Sequence, residues 1–158
     1  MKNSTLVERK SERELVVTRT VNAPARIVFA AWTTPALFVR WWIPKSACVN
    51  LLSYEMDIRT GGKYRLAFGI DPANPMEVFG RYVEVTPDLR LIWTNEESAD
   101  GAVSTVTFEE KDDQTLVVMR DLYPTKEALD AALASGSTDG LPETFEQLEE
   151  LLVTLNHG

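Results

Sequence analysis

From about residue 49 to residue 121 the chain alternates apolar and polar residues with a period of two, and no other feature limits its fold as much. In VNLLSYEMDIR, Leu52, Tyr54, Met56 and Ile58 alternate with Ser53, Glu55, Asp57 and Arg59, which predicts a strand with one wet face. Gly61-Gly62 then breaks the run, as a tight reversal requiring positive φ would. The return, KYRLAFGI, alternates again through Tyr64, Leu66, Phe68 and Ile70. Further strands are predicted at 77–86, 90–96, 103–110 and 114–121, separated by a PDL turn, a Ser-Ala-Asp-Gly turn and a Lys-Asp-Asp turn. With the β-rich segment 14–20 this makes an antiparallel sheet of six to seven strands. A curved sheet with one apolar face needs a cover.

The cover is predicted at the C-terminal end. After Thr138-Asp139-Gly140, the residues Leu141, Phe145, Leu148, Leu151, Leu152 and Leu155 form an apolar stripe at helical spacing, with Glu143, Glu146, Glu149 and Glu150 around it. A shorter helix is predicted over 125–134, opened by a Thr125 cap and closed by Ser135-Gly136. Two short helical turns precede the sheet. Pro24, capped by Asn22 or Ala23, starts one carrying Ile27, Val28, Ala31 and Trp32; Pro35 starts another with Leu37, Phe38, Trp41 and Trp42, ended by Pro44. The predicted architecture is α+β: a curved antiparallel sheet around a long C-terminal helix, with two short N-terminal helices plugging one end. Residues 1–13 are expected to form a flexible lead and 14–158 a single domain.

Composition excludes several classes. The net charge of −8 and pI near 4.7 leave no counter-charge for a phosphate backbone, so nucleic acid is not an expected partner. Residues 121–158 concentrate the acidity, with eight acids against one base, Lys126; a solvated helix face is the simple explanation and a surface for a basic partner the other. With Cys48 as the one cysteine no intrachain disulfide forms. No stretch has the length and apolarity of a signal peptide or membrane span, so a cytoplasmic protein is expected.

Chemistry is sparse. The one histidine, His157, is the penultimate residue, which argues against a histidine-based triad, and one Cys with one His cannot build a zinc-type cluster. Cys48 reads as a small core or rim residue. Glu55, Asp57 and Arg59 read as outward surface charges. Strand 77–86 offers two faces, Phe79-Arg81-Val83-Val85 and Val78-Gly80-Tyr82-Glu84, each with one charge, and the sequence does not choose between them. Arg120, on a face with Leu116 and Val118, raises the same question of a buried charge. No catalytic residue, metal or cofactor is assigned.

The blocks APARIVFAAWTTPALFVRWW, DIRTGGKYR, GRYVEVTPDLRLIWT, STVTFEEKDDQTLVV and GSTDGLPETFEQLEELL, in this order, resemble bacterial proteins similar to the C-terminal domain of the activator of Hsp90 ATPase. These belong to the START-like (SRPBCC) helix-grip superfamily. The resemblance covers about residues 14–156 and implies a sheet curled round a long helix with an apolar cavity between them. Where many relatives have a tryptophan after the glycine at 140, this chain has Leu141, which widens or reshapes the cavity beside the helix start. A cavity in this fold would be lined by Trp41, Trp42, Phe68, Met76, Trp93, Met119, Phe145 and Leu148, with Arg81 added if its face turns inward. The resulting expectation is a binder of an apolar small molecule, as monomer or homodimer. The alternatives are a module that interacts with an Hsp90-type chaperone, and a cyclase- or hydrolase-type enzyme using Glu84, Arg81 or a tyrosine.

Overall fold

The computed structural model describes residues 5–136 and 138–156. Along the chain run β1 (Leu6–Arg9), β2 (Glu14–Val21), α1 (Ala25–Thr33), α2 (Pro35–Phe38), a 3-10 turn (Lys45–Ala47), β3 (Asn50–Met56), β4 (Lys63–Gly69), β5 (Met76–Thr86), β6 (Arg90–Thr94), β7 (Val103–Lys111), β8 (Gln114–Leu122), α3 (Lys126–Ser135) and α4 (Leu141–Asn156). The strands form one antiparallel sheet in the order β1-β2-β8-β7-β6-β5-β4-β3. The α+β helix-grip architecture is therefore as expected, with eight strands in place of six to seven.

The additional strand is β1, inside the segment expected to be a flexible lead. It pairs with β2 from Leu6↔Thr18 to Arg9↔Leu15. Side chains hold this edge as well: Arg9 meets Asp130 of α3 at 2.7 Å. Four residues reading Leu-Val-Glu-Arg, with Leu6 54% exposed, carry too short an alternation to be seen without the partner strand.

Local chemistry sets the helix ends. Thr125 caps α3 by accepting from the Ala128 N–H, and Gly136, at φ 80°, closes it in the left-handed region. Pro24 occupies the cap position of α1, where Asn22 or Ala23 was expected, and the free Ala25 N–H donates to the Glu110 carboxylate at 2.7 Å. A distant strand thus supplies the acceptor that a local cap would have given.

The core lies between the sheet and α4. Phe145, Leu148 and Leu152 of the helix are fully buried with Val17, Val106, Val117 and Met119 of the strands and Val28 of α1. Burying a side chain of this size contributes about 1.5–3 kcal/mol. One face of α4 does polar work that its glutamates had not suggested. Glu149 Oε1 accepts two hydrogen bonds from the buried Arg19 guanidinium, at 2.8 and 3.0 Å, and Glu149 Oε2 accepts from Asn22 N–H. The Gln147 side chain donates to the Trp41 and Ile43 carbonyls and accepts from Lys45 N–H. Thr144 donates to the Trp42 carbonyl, and Glu143 accepts from Ser46. Pro44 packs on Gly140 so closely that a Cβ there would sit 2.8 Å from its ring. The helix therefore pins the backbone of residues 41–46, and with it the orientation of Trp42.

Candidate functional site: an aromatic chamber beside an acidic groove

The two proline-started turns bring Trp32, Phe38, Trp41 and Trp42 together, and Trp93 of β6 completes the group. Trp32 lies at the centre, with ring centroids 4.7 Å from Trp41, 5.9 Å from Trp42, 5.9 Å from Trp93 and 6.3 Å from Phe38. Aromatic contacts of this kind are directional and hold their rings in place. The cluster does not fill the space it borders. A cavity of about 130 Å³ remains, walled by Trp32, Phe38 and Trp42 on the helical side and by Met56, Tyr64, Leu66, Val78, Tyr82, Leu91 and Trp93 on the sheet side, with Asn95 at its polar corner.

The two buried indoles at the centre differ. Trp41 Nε1 donates to the Ala31 carbonyl at 3.0 Å. Trp32, 1% exposed and part of the chamber wall, has no acceptor for its Nε1–H among the described residues. A buried donor left unpaired costs about 1–3 kcal/mol.

Trp42, Trp93 and Asn95 also border a second, open depression of about 540 Å³, so these residues form a wall common to chamber and groove. The groove runs between the ends of β6–β8 and α3, whose small Ala128, Ala131 and Ala132 leave it room. A hydrogen-bond chain crosses the junction. Tyr64 donates to the Thr94 carbonyl at 2.7 Å and to Asn95 Oδ1 at 3.3 Å; Asn95 Nδ2 donates to Ser104 Oγ at 3.2 Å; Ser104 Oγ donates to Asp121 Oδ1 at 2.7 Å. Burial pushes the Asp121 carboxyl up to about 6, against the opposing pull of the Ser104 hydrogen bond. Burial, with Asp121 adding its negative charge, pushes Tyr123 up to about 12. Tyr64 and Tyr82 are also raised, mainly by desolvation, and stay neutral at physiological pH.

The nine residues singled out from sequence fall into separate places. Trp42 and Trp93 line both chamber and groove, and Met119 lines the groove. Trp41, Phe145 and Leu148 are fully buried packing behind the walls. Phe68 is partly buried on β4, outside the chamber lining. Two expectations are corrected. Met76 is 53% exposed, and Arg81 points out of the sheet to Glu96, 2.9 Å away. The reason is register: Leu66↔Val78 and Tyr64↔Gly80 turn the Val78-Gly80-Tyr82 face of β5 inward. A side chain at Gly80 would collide with the Thr94 carbonyl, its Cβ only 2.0 Å away.

Other candidates settle as structure. Glu84 receives the Thr86 hydroxyl and lies 3.6 Å from Arg90. Arg120 is exposed and lies 3.8 Å from Glu14. Cys48 is exposed, at φ 55°, which corrects its reading as a core or rim residue. His157 lies outside the described residues. Among the described residues no group of three His, Cys, Asp or Glu could hold a metal ion, and no helix is long and apolar enough to cross a membrane.

Sequence reasoning missed Asp121, Ser104 and Asn95, and the tyrosines Tyr64 and Tyr82. The signal for Asp121 was present. Thr115, Val117 and Met119 are the buried residues of β8, and one more step of two reaches Asp121. It was masked because Leu116 and Val118 on the other face are apolar as well.

Comparisons with known proteins bear on the whole chain. A family model described as activator of Hsp90 ATPase homolog 1-like protein matches residues 22–153. Among solved structures, the chain is similar to a protein of Rhodobacter sphaeroides, with TM-score 0.84, 23% identity, and coverage of 96% of this chain and 99% of that one. It is similar to a Nitrosomonas europaea protein with TM-score 0.82, 24% identity, and coverage of 95% and 100%. A Staphylococcus epidermidis protein has 26% identity, TM-score 0.74, and coverage of 94% and 93%. Comparison with curated proteins gives no match.

Proposed function

The chain belongs to the family of activator of Hsp90 ATPase homolog 1-like proteins, and on that premise we propose that it binds a small, largely apolar molecule in the chamber between α1, α2 and strands β3–β6. The supporting observation is that the aromatic cluster borders the cavity of about 130 Å³ without collapsing into it. At about 24 cal/mol per Å³, a void of that size forgoes on the order of 3 kcal/mol of packing. Interiors are close-packed unless something else is served. An apolar cavity of comparable size, about 150 Å³, takes up benzene. One ring fits the chamber.

A cyclase- or hydrolase-type reaction is a second reading, supported by Asp121 rather than by Glu84 or Arg81. Its carboxyl titrates near 6 and lines the open groove, where a general base could meet a substrate. An interaction with an Hsp90-type chaperone draws on the family description alone.

Native mass spectrometry of freshly purified protein tests the proposal. A recurring extra mass is expected that leaves on denaturation and is absent from Leu91→Phe, whose larger side chain occupies the chamber. A clean mass in the wild type, together with no saturable response of tryptophan emission to small aromatic probes, would overturn it. Chaperone pull-down would then be the next experiment.

A further inference from the structure

We propose, building on the chamber as the binding site, that its ligand is a small neutral phenol and that the Tyr82 hydroxyl selects this ligand by its oxygen. Tyr82 lines the chamber and is 4% exposed, yet its hydroxyl has no hydrogen-bond partner among the described residues. Unlike the Trp32 Nε1–H, which its neighbours seal off, this hydroxyl keeps accessible surface, and the face of β5 that carries it turns inward. A buried hydroxyl forgoes free energy until something bonds it. The residue is also held in place. Its N–H donates to the Gly62 carbonyl at 2.9 Å, its carbonyl accepts from the Gly61 N–H at 2.8 Å, and the next strand pairs with it at Tyr82↔Trp93.

The polar atoms nearby decide which oxygen fits. The Tyr64 ring lies 5.5 Å from that of Tyr82, and a charge on Tyr82 would raise the Tyr64 hydroxyl, so the two groups are electrostatic neighbours. Tyr64 gives its hydrogen to the Thr94 carbonyl at 2.7 Å. Asn95 gives its amide hydrogens to the Ala102 carbonyl at 2.6 Å and to Ser104 Oγ at 3.2 Å. What these two side chains still offer the chamber is acceptor capacity, on Tyr64 Oη and Asn95 Oδ1. Tyr82 supplies the donor. A ligand hydroxyl accepts from Tyr82 and donates to one of the other oxygens, a carbonyl uses only the first of these bonds, and a hydrocarbon uses neither.

Charge narrows the class independently. No charged side chain lines the chamber among the described residues, while Glu96 and Glu97 act on the Tyr64 hydroxyl from beyond the wall. A carboxylate would be desolvated with no cation to meet it, and an ammonium with no carboxylate. A phenol enters uncharged at neutral pH.

Isothermal titration calorimetry at pH 7.5 with three single-ring probes, phenol, toluene and benzaldehyde, tests the assignment. Phenol is expected to bind about 5-fold or more tightly than toluene, with benzaldehyde between them. In Tyr82→Phe, phenol should lose about 10-fold while toluene keeps its affinity, which reports that the chamber is still formed. Leu91→Phe should abolish the binding of all three. Toluene binding as tightly as phenol, benzaldehyde binding more tightly than phenol, or a Tyr82→Phe variant that keeps the preference for phenol would overturn the proposal while leaving the chamber as a binding site. Phenol binding unchanged by Leu91→Phe would overturn it by placing the probe elsewhere. If none of the three binds yet native protein carries an extra mass, the ligand class is wrong and the chamber reading stands; if none binds and the mass is clean, both fall.

Discussion

Asp121 illustrates how a single side chain can carry a cost to stability in exchange for a property. Its carboxyl titrates near 6 in the folded protein and near 3.8 when exposed, so between these values the native state holds more protons than the unfolded one. Stability therefore falls as pH rises from about 4 to 6 as far as this group is concerned, and the loss is complete at neutral pH. Allowing for solvent in the groove, it amounts to about 1–2 kcal/mol. Asp121→Asn is expected to raise the melting temperature at pH 7.5 and to lose that advantage at pH 4.5. A melting temperature lowered equally at both values would show that the carboxylate is not strained by burial. From sequence the residue was hidden because both faces of β8 are apolar, and the same ambiguity left Arg81 and Tyr82 of β5 unassigned. Phe79 and Val83 are 40% and 51% exposed, so alternation alone could not say which face was dry. Pairing with β4 decides it, and pairing is not written in a single strand.

At the scale of elements, α4 is both the core of the fold and the clamp of the site. Its apolar stripe was legible from spacing, and Phe145, Leu148 and Leu152 are buried as that spacing requires. Its polar contacts were not legible, since a glutamate bound to a buried arginine looks in sequence like any glutamate on a wet face. Arg19 and Glu149 have side chains only 5% and 15% exposed. Removing one partner strands a charge, so Glu149→Gln is expected to cost about 3 kcal/mol or more, read as a lower urea midpoint at unchanged slope. The pair Arg19→Met with Glu149→Leu should recover most of that loss. If Glu149→Gln leaves the midpoint unchanged, the ion pair contributes no specific stability. Edge strand β1 marks the other limit of reading from sequence: four residues without alternation become a strand because β2 presents an open edge.

For the whole molecule, element order and the wrap of sheet around helix followed from periodicity, because period two and period 3.6 are local properties. The site followed only in part, because it is assembled from α1, α2, the turn after α2 and strands β3–β6, at distances set by register and packing. Its parts respond together. Saturation with a small aromatic ligand of the chamber at about 100 times its dissociation constant should add about 2.7 kcal/mol to the unfolding free energy, a rise of about 5–10 °C in melting temperature. Leu91→Phe should show no such rise. A shift of equal size in that variant would place the ligand somewhere other than the chamber.

The four tryptophans have an optical consequence. Trp32 lies within 6 Å of Trp41, Trp42 and Trp93 alike, and Trp42 lies 6.2 Å from Trp93. Indoles this close exchange electronic excitation faster than they emit, so light absorbed by any one of them is shared by all. A quencher seated beside Trp32 would darken the whole set, and the protein carries in its own wall a sensor for the occupancy of the space it encloses.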